Sequence, residues 1–234
     1  MNKEEFINEC KKINIDINDK NIHDLDIYKD LLIEWNNKFN LTTIIDEKDI
    51  YLKHFYDSLC IVKGISISNK KVCDFGTGAG FPGMVLGIIF RDSNITLIES
   101  NSKKVLFLNE VKKVLKLNNV HIINDRVENY AKKDREVFDI VTCRAVSQLN
   151  IILELSISLL KINGLFVPMK AIVDEELNNS NNKAKLLGYI LKDKIEYNLP
   201  YENSRRTILI YEKIKKTDNK YPREYSIIKK ECNK

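Results

Sequence analysis

No Cys-x-x-Cys pair occurs in this chain; its five cysteines (Cys10, Cys60, Cys73, Cys143, Cys232) are scattered. That argues against a zinc site or a disulfide framework and predicts a reduced, cytoplasmic setting. No apolar run approaches the ~18–20 residues that a membrane span needs, and the opening MNKEEFINEC does not read as a secretory signal. No G-x-x-x-x-G-K-[ST] is present, which excludes a P-loop. No internal repeat is found.

What is present fits a globular chain with one sizeable core: 234 residues, 44% hydrophobic and 30% charged. The net charge is +5, and its location matters more than its size. From Lys213 onward there are eight Lys or Arg against three Asp or Glu, so residues 1–212 balance to zero. A basic tail on a neutral body can meet an anionic partner such as RNA. The alternative is a solvated, frayed terminus.

Residues 24–63 read as two amphipathic helices. Tyr28, Leu31, Leu32, Trp35 and Phe39 follow a helical period in the first. In the second, Ile50, Tyr51, His54, Phe55, Ser58, Leu59 and Val62 fall on one face. Beyond them, β-rich runs at 71–75, 95–99, 120–124, 137–143 and 164–169 alternate with helical stretches, the pattern of a parallel sheet with crossover helices. A weaker strand near 190–197 and RTILIYEK at 206–213 form a hairpin that adds one antiparallel strand. The Asn-rich 178–183 reads as a surface loop or a weak helix end.

The stretch VCDFGTGAGFPG at 72–83 sets the chemical question. Its glycines follow a strand, at the end where open α/β sheets bind ligands. Gly78, Gly80 and Gly83 spell the dinucleotide pattern G-x-G-x-x-G. Two residues count against a pyrophosphate. Asp74 places a carboxylate near the turn, and Pro82 removes an amide donor where the helix should begin. An acid followed by Gly76, Gly78 and Gly80 instead matches the turn of S-adenosylmethionine enzymes, whose cofactor carries an ammonium and a sulfonium. Glu99 ends the second strand, where an acid can accept hydrogen bonds from a ribose diol in either kind of nucleoside site.

The chain resembles the bacterial small-subunit ribosomal RNA guanine-N7 methyltransferases, the GidB or RsmG type. The likeness rests on WNNKFNLTTI (35–44), KHFYDSL (53–59), DFGTGAGFPG (74–83), LIESNSKKVLFL (97–108), DRVENY (125–130), VTCRAVSQL (141–149) and INGLFVPMK (162–170). Glu99 stands where the family usually has aspartate, and Ala171 where it usually has glycine. After YPR (221–223) the tail does not follow the family's Gly- and Pro-containing ending.

The resemblance implies a Rossmann-like, seven-stranded class I methyltransferase sheet in a single domain. Residues 1–66 would form a helical cap, 67–212 the core and 213–234 a basic tail. It implies S-adenosylmethionine as cofactor and a guanine of 16S ribosomal RNA as substrate, within the small subunit or its assembly intermediate. A cytoplasmic monomer without metal or membrane contact is expected. The site residues it points to are Gly76, Phe81, Val127, Glu128 and Arg144, joined by Asp74, Gly78 and Glu99. Val127 and Glu128 would line the adenine, and the Arg144 guanidinium would contact phosphate or the guanine O6 edge.

The chemistry agrees with the residues present. Methylating an exocyclic amine needs help with a proton, and the Asn- or Asp-Pro-Pro motif for it is missing from the fourth strand. Guanine N7 offers an in-plane lone pair and no proton, so alignment can supply most of the catalysis. Cys143 could act as a C5-type nucleophile, but it lacks the preceding proline and reads as a packed thiol. His54 reads as a hydrogen-bonded structural histidine, and Asp57 and Ser58 as residues that cap the helix or bridge it to the sheet. Two rival functions remain at this point: a dinucleotide oxidoreductase, and a non-catalytic RNA-binding or assembly protein.

Overall fold

The computed structural model describes residues 1–232. Helix α1 (Lys3–Lys12) starts on a capping box in which Asn2 accepts from the Glu5 amide and Glu5 accepts from that of Asn2. Asn18 and Asn21 repeat the device at α2 (Asp19–Phe39), which ends on Asn40 in the left-handed region (φ 48°). Leu25, Tyr28 and Leu32 of α2 are fully buried, while Leu31, Trp35 and Phe39 pack at the margin.

The second cap helix departs from the amphipathic expectation. It is built from α3 (Glu47–Asp49), a π-helical stretch (Ile50–Tyr56), α4 (Asp57–Leu59) and a 3-10 turn (Cys60–Lys63). Every residue from Leu59 back to Ile50 is buried except Lys53, and Val62 is only half-buried. The segment packs against α1 on one side and α5 on another, so its polar members His54, Asp57 and Ser58 are interior groups that need partners.

The remaining elements alternate: β1 (Lys71–Phe75), α5 (Gly83–Ile89), β2 (Asn94–Glu99), α6 (Ser102–Val114), β3 (Val120–Asn124), α7 (Val127–Lys133), β4 (Phe138–Arg144), α8 (Leu149–Ile157), β5 (Leu160–Lys170), α9 (Asp174–Leu187), β6 (Tyr189–Asn198), β7 (Arg205–Lys213) and α10 (Tyr225–Cys232). The seven strands lie in the order β3-β2-β1-β4-β5-β7-β6. Only β7 runs against its neighbours β5 and β6, as the hairpin reading expected. The Asn-rich 178–183 is neither loop nor helix end; it lies inside α9, where Ser180 and Ala184 are buried.

Alternation along the strands divides the interior in two. Val72, Leu97, Ile140 and Val167 join the core under the cap, α5 and α6. Cys73, Phe75, Val141, Cys143 and Phe166 join the opposite core, under α8 and α9. From β1 the chain moves outward through β2 and β3, then returns to β4 on the other side. That reversal opens a crevice at the carboxyl ends of β1 and β4, where such sheets bind ligands.

Through its described residues, the basic terminus is docked on the sheet and α8. Lys213 is fully buried at the end of β7, where its ammonium donates to Glu136 Oε1 (2.6 Å) and to the carbonyls of Ile157 (3.0 Å) and Leu160 (2.7 Å). Arg135 donates to the Tyr221 carbonyl at 2.7 Å, and Ile228 of α10 is buried in the second core. Lys215, Lys216, Lys220, Lys229 and Lys230 remain exposed.

Candidate active site

The glycine turn is held by two carboxylates. Asp74, fully buried, uses Oδ2 to accept from Thr77 Oγ1 (2.5 Å) and from the Gly83 amide (2.8 Å). The first amide of α5 is therefore spent on a carboxylate and not held open for a phosphate. The sequence reading placed this carboxylate near the mouth of the turn; it lies beneath it. Its Oδ1 has no hydrogen-bond partner. Burial pushes the Asp74 pKa up to about 7, against the opposing pull of Thr77, Gly83 and Arg144. Glu99 Oε2 accepts from the Gly78 amide at 2.9 Å, and Oε1 from the Asn101 amide at 2.8 Å. Each Glu99 oxygen keeps a second acceptor site.

Gly76 and Gly78 both sit at φ +63°. A Cβ on Gly76 would come 2.8 Å from Val146, whereas one on Gly78 would meet only the Lys104 ammonium, at 3.9 Å. Gly78 is thus glycine for its backbone conformation and for the open space above it.

Beside this turn lies a cleft with apolar walls from Phe75, Ile98, Val127, Val146, Leu155 and Tyr225, and a polar rim from Ser100, Asp125, Arg126 and Glu128. Val127 and Glu128 open α7, so their amides have no acceptor within the helix. Glu128 is buried and accepts from Arg126 Nε at 2.6 Å. The donors, the apolar slot and the glycine cradle suit a nucleoside such as S-adenosylmethionine.

A larger cavity of about 530 Å³ opens on the cap side of the same strand ends, lined by residues that include Lys53, His54, Asp57, Arg144, Lys170, Tyr197 and Arg206. Arg144 lines this cavity and Val146 the nucleoside cleft, with Ala145 between them in the left-handed region (φ 56°). The Arg144 guanidinium donates to the Lys53 carbonyl (2.9 Å), Asp57 Oδ2 (3.1 Å) and His54 Nδ1 (3.3 Å). Asp57 also accepts from Tyr197 Oη (3.0 Å) and Arg206 Nε (3.3 Å), which ties the cap to β4, β6 and β7. Ser58 does not bridge; its hydroxyl donates within the helix to the His54 carbonyl.

Because a guanidinium only donates, His54 Nδ1 must accept, and Nε2–H then donates to Thr42 Oγ1 at 3.0 Å. Burial, and Arg144 beside it, push the His54 pKa down to about 3, so the ring is neutral and both nitrogens are engaged. Phe81 stacks on His54 (centroids 4.1 Å, 11° between planes), and the Arg144 guanidinium lies 5.3 Å from the Phe81 ring centre. The Phe81 ring therefore faces the cap, not the nucleoside cleft. Cys143 is buried in the second core, and burial raises its thiol pKa well above the ordinary value.

The predicted residues thus fall into two groups. Gly76, Val127 and Glu128 line the cleft, and Gly78 and Glu99 bond each other in the turn beside it; Arg144 lines the cavity and lies against Phe81, and Asp74 is buried beneath the turn. Sequence reasoning missed Tyr197, Arg206 and Tyr225, which come from β6, β7 and the tail, the parts that carry no motif. Lys53 and Lys170 lay inside quoted motifs, but nothing in the sequence showed that they share one cavity.

The strand order, the acid-supported glycine turn and the nucleoside cleft define a class I methyltransferase. A family model described as rRNA small subunit methyltransferase G matches residues 21–202. A ribosomal RNA small subunit methyltransferase G of Fusobacterium nucleatum is 42% identical over 225 residues, covering 96% of this chain and 97% of that protein. The Bacillus subtilis protein of the same name is 40% identical over 228 residues, with 96% and 95% covered. The chain belongs to the small-subunit ribosomal RNA methyltransferase G family and is an S-adenosylmethionine-dependent methyltransferase.

Among solved structures, M. jannaschii TYW2 in complex with AdoMet superposes with a TM-score of 0.57 at 20% identity, covering 74% of this chain and 80% of that one. A SAM-dependent methyltransferase from Aquifex aeolicus gives 0.54 at 16%, covering 72% and 94%. These likenesses concern the fold. Among the described residues no helix is long and apolar enough to cross a membrane, and no cluster of His, Cys, Asp or Glu is placed to hold a metal.

Proposed function

We propose that this enzyme methylates N7 of a guanine in 16S ribosomal RNA, acting as a cytoplasmic monomer on the small subunit or its assembly intermediate. The observation that carries the reading is that the candidate bases among the described residues of the cavity are already engaged, Asp57 by Arg144, Arg206 and Tyr197, and His54 by Arg144 and Thr42. His54 is held neutral with both nitrogens bonded, and the buried Cys143 remains a thiol. A nitrogen that already has a lone pair and carries no proton needs neither.

S-adenosylmethionine, when bound, supplies an electrophilic methyl group on a sulfonium. Gly76 and Gly78 let the backbone approach it, Glu99 accepts from the ribose diol, and Val127 with Glu128 meets the adenine edge. Asp74 holds the turn in shape from beneath through Thr77 and the Gly83 amide. Arg144 meets the guanine O6 edge or a phosphate and is held in place by Asp57 and Phe81. The single domain divides by role into cap, sheet and tail.

The test is transfer of labelled methyl from S-adenosylmethionine to purified 16S RNA and to small subunits lacking the modification. Incorporation that Arg144→Ala reduces supports the reading. No incorporation into either substrate contradicts it.

A further inference from the structure

We propose that the C-terminal helix α10 forms part of the cofactor site, with Tyr225 as a wall of the nucleoside cleft. The inference rests on the cofactor reading above. Three observations carry it. Tyr225 lines the same cleft as Gly76, Val127 and Glu128. Its ring is fixed from outside by the Arg126 guanidinium, 5.6 Å from the ring centre, and its hydroxyl lies 3.5 Å from Ser147 Oγ. Arg126 in turn bonds Glu128, so the tail and the α7 edge of the cleft are one connected unit.

The helix is latched by a buried charge. Glu154 of α8 is fully buried, and a carboxylate there needs cations around it. Arg223 supplies a two-pronged contact, Nε to Oε1 at 2.7 Å and Nη2 to Oε2 at 2.6 Å, and its own amide adds a third bond at 3.1 Å. Lys183 reaches Oε2 at 2.6 Å. Burial pushes the Glu154 pKa up, yet Arg223 and Lys183 outweigh it and hold the carboxyl below the usual range. A single residue, Glu224, separates the latch at Arg223 from Tyr225. Docking of the latch therefore sets where the aromatic ring stands.

An aromatic wall beside an adenine favours stacking, and the ring carries that interaction more than its hydroxyl. Tyr225→Ala should weaken binding of S-adenosylhomocysteine roughly tenfold, with the melting temperature of the free protein close to wild type. Tyr225→Phe should bind within about twofold of wild type, which a loss through the Ser147 contact would not allow. Arg223→Ala should reproduce the affinity loss, and amides of α10 should then exchange rapidly with solvent. In the wild type, S-adenosylhomocysteine should slow exchange in α10.

Calorimetry and hydrogen exchange on the full chain provide these readouts without turnover. Unchanged affinity in folded Tyr225→Ala, or α10 exchange indifferent to the ligand, would overturn the inference while leaving the cofactor reading intact. A wild-type protein that binds neither S-adenosylmethionine nor S-adenosylhomocysteine would overturn both.

Discussion

Asp57 and Arg144 face each other across the boundary between the helical cap and the sheet, Oδ2 to Nη1 at 3.1 Å, and each is shared with further partners. Arg206 and Tyr197 converge on the same carboxylate. The arrangement fixes a guanidinium that lines the large cavity by a residue from another layer of the fold. Asp57 is 4% exposed, and its removal leaves the half-buried Arg144 and Arg206 guanidiniums without their shared carboxylate. Asp57→Ala should lower the unfolding free energy by about 3 kcal/mol, measured by urea titration. Turnover per folded molecule should fall too, because Arg144 loses its anchor. A variant with wild-type stability would show that the bonds of Arg144 to the Lys53 carbonyl and His54 hold the cap without the carboxylate.

Two glycines of the turn should fail in different ways. Gly78 has open space above it but a left-handed backbone, so Gly78→Val should cost about 1–2 kcal/mol in stability and abolish cofactor binding. A Cβ at Gly83 would stand 2.2 Å from Leu97 Cδ2 and 2.8 Å from Asp74 Cβ. Gly83→Val should therefore disrupt folding before binding can be assayed. Circular dichroism melts with calorimetry on both variants check the contrast.

Asp74 should leave a signature in the pH dependence of stability. Its ordinary pKa is 3.8, and burial raises it to about 7 in the folded protein. Between those values the folded state keeps a proton that the unfolded chain has released. This group therefore makes stability fall as pH rises through that window, with no further change above it. A shift of that size corresponds to on the order of 4 kcal/mol. Asp74→Asn removes the titration, so wild type minus variant, from urea unfolding between pH 4 and 8, should decline across the window and then level. A flat difference would show that Asp74 stays ionised.

Cys143 should be dispensable for chemistry. Its thiol is buried, protonated and turned into the core under α8 and α9. Cys143→Ala should keep turnover within about twofold while losing roughly 1–2 kcal/mol of stability to the cavity. A folded variant without activity, together with a covalent RNA adduct in wild type, would require cysteine chemistry.

Much of this was legible in the sequence, for reasons of period and spacing. The strands and the hairpin follow from β-rich runs between helices, and the glycine turn from its position after β1. Helix α9 was misread because Asn-rich composition argues for a loop, while burial of Ser180 and Ala184 against α8 holds it helical. The π-helical segment defeated a face-by-face reading because tertiary packing buries it nearly all round. Charge counting could not sort the cations of the tail. Lys213 and Arg223 neutralise buried acceptors, and a count of lysines does not distinguish these from the exposed ones.

The position of the methyl group tests the central claim most directly. Labelled methyl would be transferred to small-subunit RNA, and the RNA digested to nucleosides and separated by mass. Borohydride reduction and aniline treatment of a parallel sample would cleave the chain at 7-methylguanosine. The account predicts that the label resides in 7-methylguanosine and that cleavage occurs at one guanine of 16S RNA. Label recovered in 5-methylcytidine or N2-methylguanosine would contradict it, since those products need the nucleophile or the base that His54 and Cys143 cannot provide.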